Sequence, residues 1–120
     1  MSDMHAYRLS APGSLDNLVK RQERQPDIGP DDVLVRIRAV SLNARDLMMV
    51  HGPQPYGPKP DIIPASDAAG DIVACGSAVS DLTPGTRVVL PFRPGWLDGP
   101  FNPANIATDL GGAVDGVLCE

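Results

Sequence analysis

Residues 33–40 read VLVRIRAV, with Val33, Val35, Ile37 and Ala39 alternating with Leu34, Arg36, Arg38 and Val40. A period of two sends successive side chains to opposite faces, so the run predicts a half-buried β-strand. Beyond Ser41 the period changes. Residues 44–51, ARDLMMVH, are mostly good helix formers and stop at Gly52, the residue type most often found just past a helix C-terminus. One short helix is expected there. Residues 52–64, GPQPYGPKPDIIP, hold five prolines in thirteen positions. Each proline removes a backbone donor and fixes φ, which predicts an irregular surface loop able to act as a lid.

The remaining segments are short and extended. HAYRLS at 5–10 and NLVKRQERQ at 17–25 flank APGSLD, whose Pro-Gly pair signals a turn, and together they predict a hairpin. SDAAGDIVACG at 66–76 reads as a strand in which Ala68, Ala69 and Gly70 let another backbone or a ligand approach closely. A turn at Pro84-Gly85 leads into a predicted strand from Thr86 to Phe92. The tail is loop-rich until GVLCE at 116–120, which is expected to begin a strand with an unpaired edge open to another copy of the chain. With 13 Pro and 12 Gly among 120 residues, long helices have little room. The sum is one mainly β domain, a small barrel of short strands with one or two short helices.

Charge and cysteine usage narrow the function. A net charge of -5, with the densest basic run VKRQER interrupted by Glu23, excludes a nucleic-acid surface. Cys75 and Cys119 lack a C-x-x-C spacing, so they signal neither a zinc site nor a disulfide framework, and reduced thiols in a cytoplasmic protein are expected. No stretch approaches the roughly 20 apolar residues that span a bilayer, and the first ten residues lack a signal-peptide pattern.

Asn43 and Asp46 stand three residues apart where strand gives way to helix. That spacing puts both on one face of a helical turn, as a site or as a cap. As a cap, Asn43 satisfies free N–H groups and Asp46 adds favourable charge at the helix N-terminus. Histidine is a residue type that suits proton transfer, which makes His51 a candidate, and its place beside Gly52 equally suits a charge at a helix C-terminus.

Four pieces, VLVRIRAVSLNARD, IIPASDAAGDIVACGSAV, LTPGTRVV and GGAVDGVLCE, occur in an order and spacing that resemble the N-terminal catalytic domain of the medium-chain dehydrogenase/reductase superfamily. The resemblance covers nearly the whole chain and implies a GroES-like, partly open β-barrel. Zinc alcohol dehydrogenases in that superfamily carry Cys at the position of Asn43 and Gly-His-Glu where this chain has Ala65, Ser66 and Asp67. Asn and Ser are poor substitutes for thiolate and imidazole, so no metal is expected and the chain resembles the zinc-independent, quinone oxidoreductase-like branch. The pattern Asn43…Asp46 with Ala65-Ser66-Asp67-Ala68-Ala69-Gly70 is similar to that branch. It implies that Asn43 sits beside the nicotinamide or the substrate carbonyl while Asp46 braces the turn. The same resemblance implies that Ala44 and Arg45 lie near the cofactor, with Arg45 contacting phosphate. It also implies a substrate pocket formed by Met48, Tyr56, Ser66 and Phe92.

A dinucleotide site is the missing part. LGGAVDG at 110–116 has glycines without a preceding β run or a following amphipathic helix, so it is a weak Rossmann candidate. The resemblance therefore implies that residues 1–120 are a substrate-side domain ending before a Rossmann domain that binds most of the NADPH or NADH. The expected function is hydride transfer to a quinone, an enone or a related carbonyl compound, with the isolated chain inactive and a homo-oligomer compatible with the family. The alternative is a non-catalytic GroES-like binding module or an inactive fragment.

Overall fold

The computed structural model describes residues 2–52 and 58–120. Its strands are β1 (Asp3–Leu9), β2 (Leu18–Arg24), β3 (Val33–Ser41), β4 (Asp67–Cys75) and β5 (Arg87–Val89), and its α-helix is α1 (Ala44–His51). Two short 3-10 helices, Leu15–Asn17 and Pro103–Thr108, complete the elements among the described residues. β1 and β2 form an antiparallel hairpin, and β3, β4 and β5 form a second antiparallel sheet in that order. The mainly β expectation holds, with two sheets and, among the described residues, no closed barrel. Between them lies an open cleft of about 940 Å³ whose lining includes Met4, Val33, Val35, Ile37, Ile63 and Val117.

The alternation of β3 is interrupted. Its register against β4 shifts between Leu34 and Val35 and again between Ile37 and Ala39, leaving Arg38 as an extra residue opposite the Gly70–Ala69 step. A bulge of this kind flips the phase of the strand. Ile37 and then Val40 pack against the cluster of Ala65, Ala68 and Val117, while Ala39, expected on the face of Ile37, is exposed. Gly70 permits this: a Cβ there would stand 2.2 Å from the Arg36 carbonyl oxygen. The close approach expected at Gly70 is therefore made by backbone.

β5 is shorter than expected. Leu90 N–H still donates to the Ala68 carbonyl at 3.0 Å, and Pro91, which has no N–H, ends the pairing. The unpaired edge expected at 116–120 is also corrected. Tyr7 N–H donates to the Leu118 carbonyl and Glu120 N–H to the His5 carbonyl, both at 3.0 Å, so the segment docks along β1. Met4, Ala6 and Ile63 draw it in, with Leu118 and Cys119 packed on them.

Among the described residues most of the buried apolar side chains fall in small separate clusters: Met4, Ala6 and Ile63; Leu9, Val50 and Ile62; Ala65, Ala68 and Val117. Residues 62–65 contribute to all three, so the segment leaving the Pro-rich stretch pins the hairpin, α1 and the second sheet to one another. Arg8 adds a polar clasp. Its guanidinium grips Glu23 at 2.6 and 2.9 Å, Asp115 at 3.2 Å and the Asp61 carbonyl at 2.9 Å.

Candidate functional site

The site is built where β3 runs into α1. Asn43 keeps an extended backbone at the N-cap, and its N–H donates to Asp46 Oδ2 at 2.8 Å. Asp46 N–H returns a bond to the Asn43 carbonyl at 3.0 Å. This is the carboxylate half of a capping box, and it stiffens the first turn. The Asn43 side chain turns elsewhere: its Nδ2 donates to Asp67 Oδ2 at the start of β4. A carboxylate accepts only, so this contact assigns the amide of the exposed Asn43 side chain and leaves its second N–H for a ligand. The other oxygen of Asp46, Oδ1, is buried and has no hydrogen-bond partner among the described residues.

Ala44 is exposed on the first turn. Arg45 turns its part-buried guanidinium toward the C-terminal half of the chain, where Nη1 donates to the Leu110 carbonyl at 3.0 Å. The same group lies 4.6 Å from the centroid of the Phe92 ring. Desolvation lowers its pKa from the usual arginine value, opposed by the nearby charges of Asp109 and Asp46. Arg93 covers Phe92 as well, at 5.0 Å, and is held to the buried Asp109 by two bonds of 2.5 and 2.7 Å.

Ser66 is 3% exposed. It lies on the buried face of the chain entering β4, with Ala68, Gly70 and Ile72, whereas Asp67 alternates to the other face. Just before it, buried Ala65 has φ 70°, a left-handed conformation uncommon outside glycine. Met48 is 50% exposed on α1. Tyr56 lies outside the described residues. The structure thus brings Asn43, Asp46 and Asp67 together directly, and separately brings Arg45 onto Phe92. His51 is an exposed residue in the last turn of α1.

Two participants escaped sequence reasoning. Asp67 was visible only as part of a motif, and nothing in its spacing announces a bond to Asn43 twenty-four positions earlier. The LGGAVDG segment is a tight turn in which Gly111 N–H donates to the Val114 carbonyl at 2.9 Å, with its neighbours Leu110 and Val114 bridged. It serves as a packing hub for Ala65 and Arg45: a Cβ on Gly111 would meet the Ala65 carbonyl oxygen at 2.7 Å, and one on Gly112 would meet Arg45 Nη2 at 2.6 Å. No helix among the described residues is long and apolar enough to cross a membrane.

Known proteins are similar to this chain in sequence and in fold. A zinc-type alcohol dehydrogenase-like protein of Schizosaccharomyces pombe is 40% identical over 91 residues, covering 74% of this chain and 26% of that protein. The chloroplastic quinone oxidoreductase QR1 of Triphysaria versicolor is 38% identical over 66 residues, covering 53% of this chain and 20% of that protein. A solved structure from Sinorhizobium meliloti, described as an alcohol dehydrogenase, superposes with a TM-score of 0.85 at 36% identity, covering 100% of this chain and 36% of that one. The chain therefore spans well under half the length of these relatives. The alcohol dehydrogenase GroES-like domain family matches residues 29–119. From the strand that carries Asn43 to the segment that docks on β1, this chain belongs to that family, within the medium-chain dehydrogenase/reductase superfamily.

Proposed function

We propose that residues 1–120 are the substrate-side domain of an NAD(P)-dependent, zinc-independent oxidoreductase that transfers a hydride to a quinone, an enone or a related carbonyl compound. The observation that carries this reading is the Asn43, Asp46 and Asp67 constellation, which offers an oriented, exposed amide at the end of a strand and the start of a helix. The family's oxidoreductase relatives support the reaction class.

Zinc does not fit these residues. The positions taken by thiolate and imidazole in zinc relatives hold the Asn43 amide, engaged with Asp67, and the buried Ser66 hydroxyl. Among the described residues no three His, Cys, Asp or Glu side chains come close enough to hold a metal ion. No step is assigned to a metal, since tight zinc binding wants S and N donors.

A bound nicotinamide would supply the hydride, and a domain outside these residues would hold most of the dinucleotide. Asn43 and Ala44 would meet its reactive end. Asn43 then orients the acceptor carbonyl or the nicotinamide carboxamide, with Asp67 fixing the amide and Asp46 fixing the turn beneath it. Phe92 and Ser66 would wall the acceptor side, with Met48 at its rim. The 120-residue chain alone is proposed to be inactive, and the two free thiols, Cys75 and Cys119, suit a cytoplasmic protein.

The test is intact mass of the natural polypeptide followed by titration with NADPH and NADH, read by nicotinamide fluorescence. Binding by a longer natural product, together with reduced turnover of a folded Asn43→Ala variant, supports the reading. A natural product of 120 residues that binds neither nucleotide at millimolar concentration overturns it.

A further inference from the structure

Arg45 joins three segments far apart in sequence. It belongs to the first turn of α1, donates to the Leu110 carbonyl and lies over the Phe92 ring. The path closes on itself, because Arg93 covers Phe92 and grips Asp109, the neighbour of Leu110. Phe92 further accommodates this ring by accepting from Leu110 N–H at 3.1 Å through its own carbonyl. Two guanidiniums thus lie against the Phe92 ring, each anchored to the 109–110 corner.

The grip is specific to arginine. Arg45 has no carboxylate within ion-pair distance among the described residues, although burial disfavours its charge. The nearby charges of Asp109, Asp46 and Asp67 offset that burial only in part, so the guanidinium relies on its ring and carbonyl contacts as well. The planar fork both stacks on a ring and donates to a carbonyl, which an ammonium cannot reproduce. Gly112 makes room for it, since any side chain there would strike Nη2.

We propose that Arg45 is a positioning residue for the acceptor side of the site. It locks the turn that carries Asn43 to the Phe92 ring, so that the floor and wall of the pocket keep one spacing. The assignment to an acceptor rests on the oxidoreductase reading above, whereas the coupling of Arg45 to Phe92 stands without it. It differs from a phosphate contact, because the guanidinium is engaged with a ring and a carbonyl of its own chain.

The experiment uses the natural full-length polypeptide and its Arg45→Lys, Arg45→Met, Phe92→Leu and Arg45→Met/Phe92→Leu variants, each checked for folding by thermal melting. Steady-state kinetics with a quinone or enone gives KM and kcat, and nicotinamide fluorescence gives cofactor affinity. The expected result is an acceptor KM raised about tenfold in each single variant, the lysine included, with cofactor affinity changed less than about twofold. The double variant should be no worse than either single one, because each removes the same lock. Weakened cofactor binding with an unchanged acceptor KM overturns the proposal in favour of a phosphate contact. Effects of Arg45 and Phe92 that multiply overturn it too. If the wild-type protein oxidises neither nucleotide with any such acceptor, the oxidoreductase reading fails on its own. Amide hydrogen exchange at Leu110, Gly111 and Gly112 then decides the coupling: equal acceleration in both single variants and the double sustains the lock, and separate, additive accelerations overturn it.

Discussion

Gly116 lies flat against Ala65: a Cβ at position 116 would stand 2.0 Å from the Ala65 carbonyl oxygen and 2.7 Å from those of Ile63 and Pro64. Gly116 N–H meanwhile donates to the Ile63 carbonyl at 2.6 Å, so neither backbone has room to withdraw. Gly116→Ala is predicted to cost about 3 kcal/mol or more, read as a lowered urea midpoint at unchanged slope. Gly85→Ala is the control. Gly85 has a left-handed φ, of 93°, which Gly116 does not, and nothing lies within 4 Å of its Cβ position. Its cost should be confined to backbone strain, about 1–2 kcal/mol. Equal losses at the two sites would mean that the 63–66 and 116–118 segments are not in contact.

The Ala65 backbone supplies a second prediction from the same crossing. At φ 70°, an L-residue carries strain of about 1–2 kcal/mol. Ala65→Gly relieves it but enlarges the unfolded ensemble by about 0.5–1 kcal/mol and removes a buried methyl worth about 0.8 kcal/mol. The net change should stay within about 1 kcal/mol of zero. Ala65→Val crowds a β-branched side chain into the same conformation and a site 2% exposed, and should lose about 3 kcal/mol. A thermal melt of both variants separates strain from packing.

These crossings mark where sequence reasoning stops. The hairpin, β3, the helix ending at Gly52 and the strand from Asp67 were legible because period, propensity and turn residues are local properties. The bulge at Arg38 was not, because it depends on Gly70 admitting the Arg36 carbonyl from a strand more than thirty positions away. The end of β5 was legible in principle at Pro91, where a donor is missing. Asn43 and Asp46 announced themselves by spacing, but the contact of Asn43 with Asp67 and that of Arg45 with Phe92 arise only when the chain folds back. No local pattern distinguishes an arginine that meets solvent from one that meets a ring.

Acid should loosen the Arg8 clasp. Burial works to raise the pKa of Asp115, and the Ile63 N–H, Lys59 and Arg8 more than reverse this, so its carboxyl titrates below the usual range. Glu23 is lowered as well, chiefly by its hydrogen bonds from Arg8. A carboxylate with a depressed folded pKa contributes stability that is fully present above its unfolded value, about 4, and is lost as pH falls through the folded value. Stability should therefore decline below about pH 4. Asp115→Asn should be less stable at neutral pH and show a shallower decline in a series of urea midpoints taken from neutral to strongly acidic pH. An unchanged slope would place the acid sensitivity elsewhere.

Asn43→Asp tests the amide contact without changing its size. The substitution would set a carboxylate against Asp67 where an N–H now donates, and against Asp46, whose Oδ2 accepts from the backbone of the same residue. Like charges at such range repel, and the new group can relieve the clash only by taking a proton. Asn43→Asp is predicted to lose about 1–2 kcal/mol at neutral pH and to recover part of it on mild acidification, the opposite trend to that of the Arg8 clasp. Asn43→Ser, which keeps a neutral donor, should show no such recovery. Denaturation of the three proteins at two pH values checks this, and matching pH dependence would remove the Asn43–Asp67 contact from the account.

Cys119 reports whether residues 116–120 stay on β1. Burial, reinforced by the negative charges of Asp115 and Glu23, pushes its thiol pKa up to about 11. At pH 8 only about one molecule in a thousand would carry the reactive thiolate. Cys75, whose thiol sits 3.5 Å from the Leu82 carbonyl, is the internal comparison. Iodoacetamide at pH 8, followed by peptide mass mapping, should modify Cys75 first and leave Cys119 untouched until denaturant is added. Because Ala6 bridges Cys119 and Tyr7 donates to Leu118, lifting of the segment from the strand would strip this burial and speed the labelling of Cys119. Rapid labelling of Cys119 in native buffer would therefore mean that the edge of β1 is open in solution, restoring the free edge that the amino-acid pattern alone suggests.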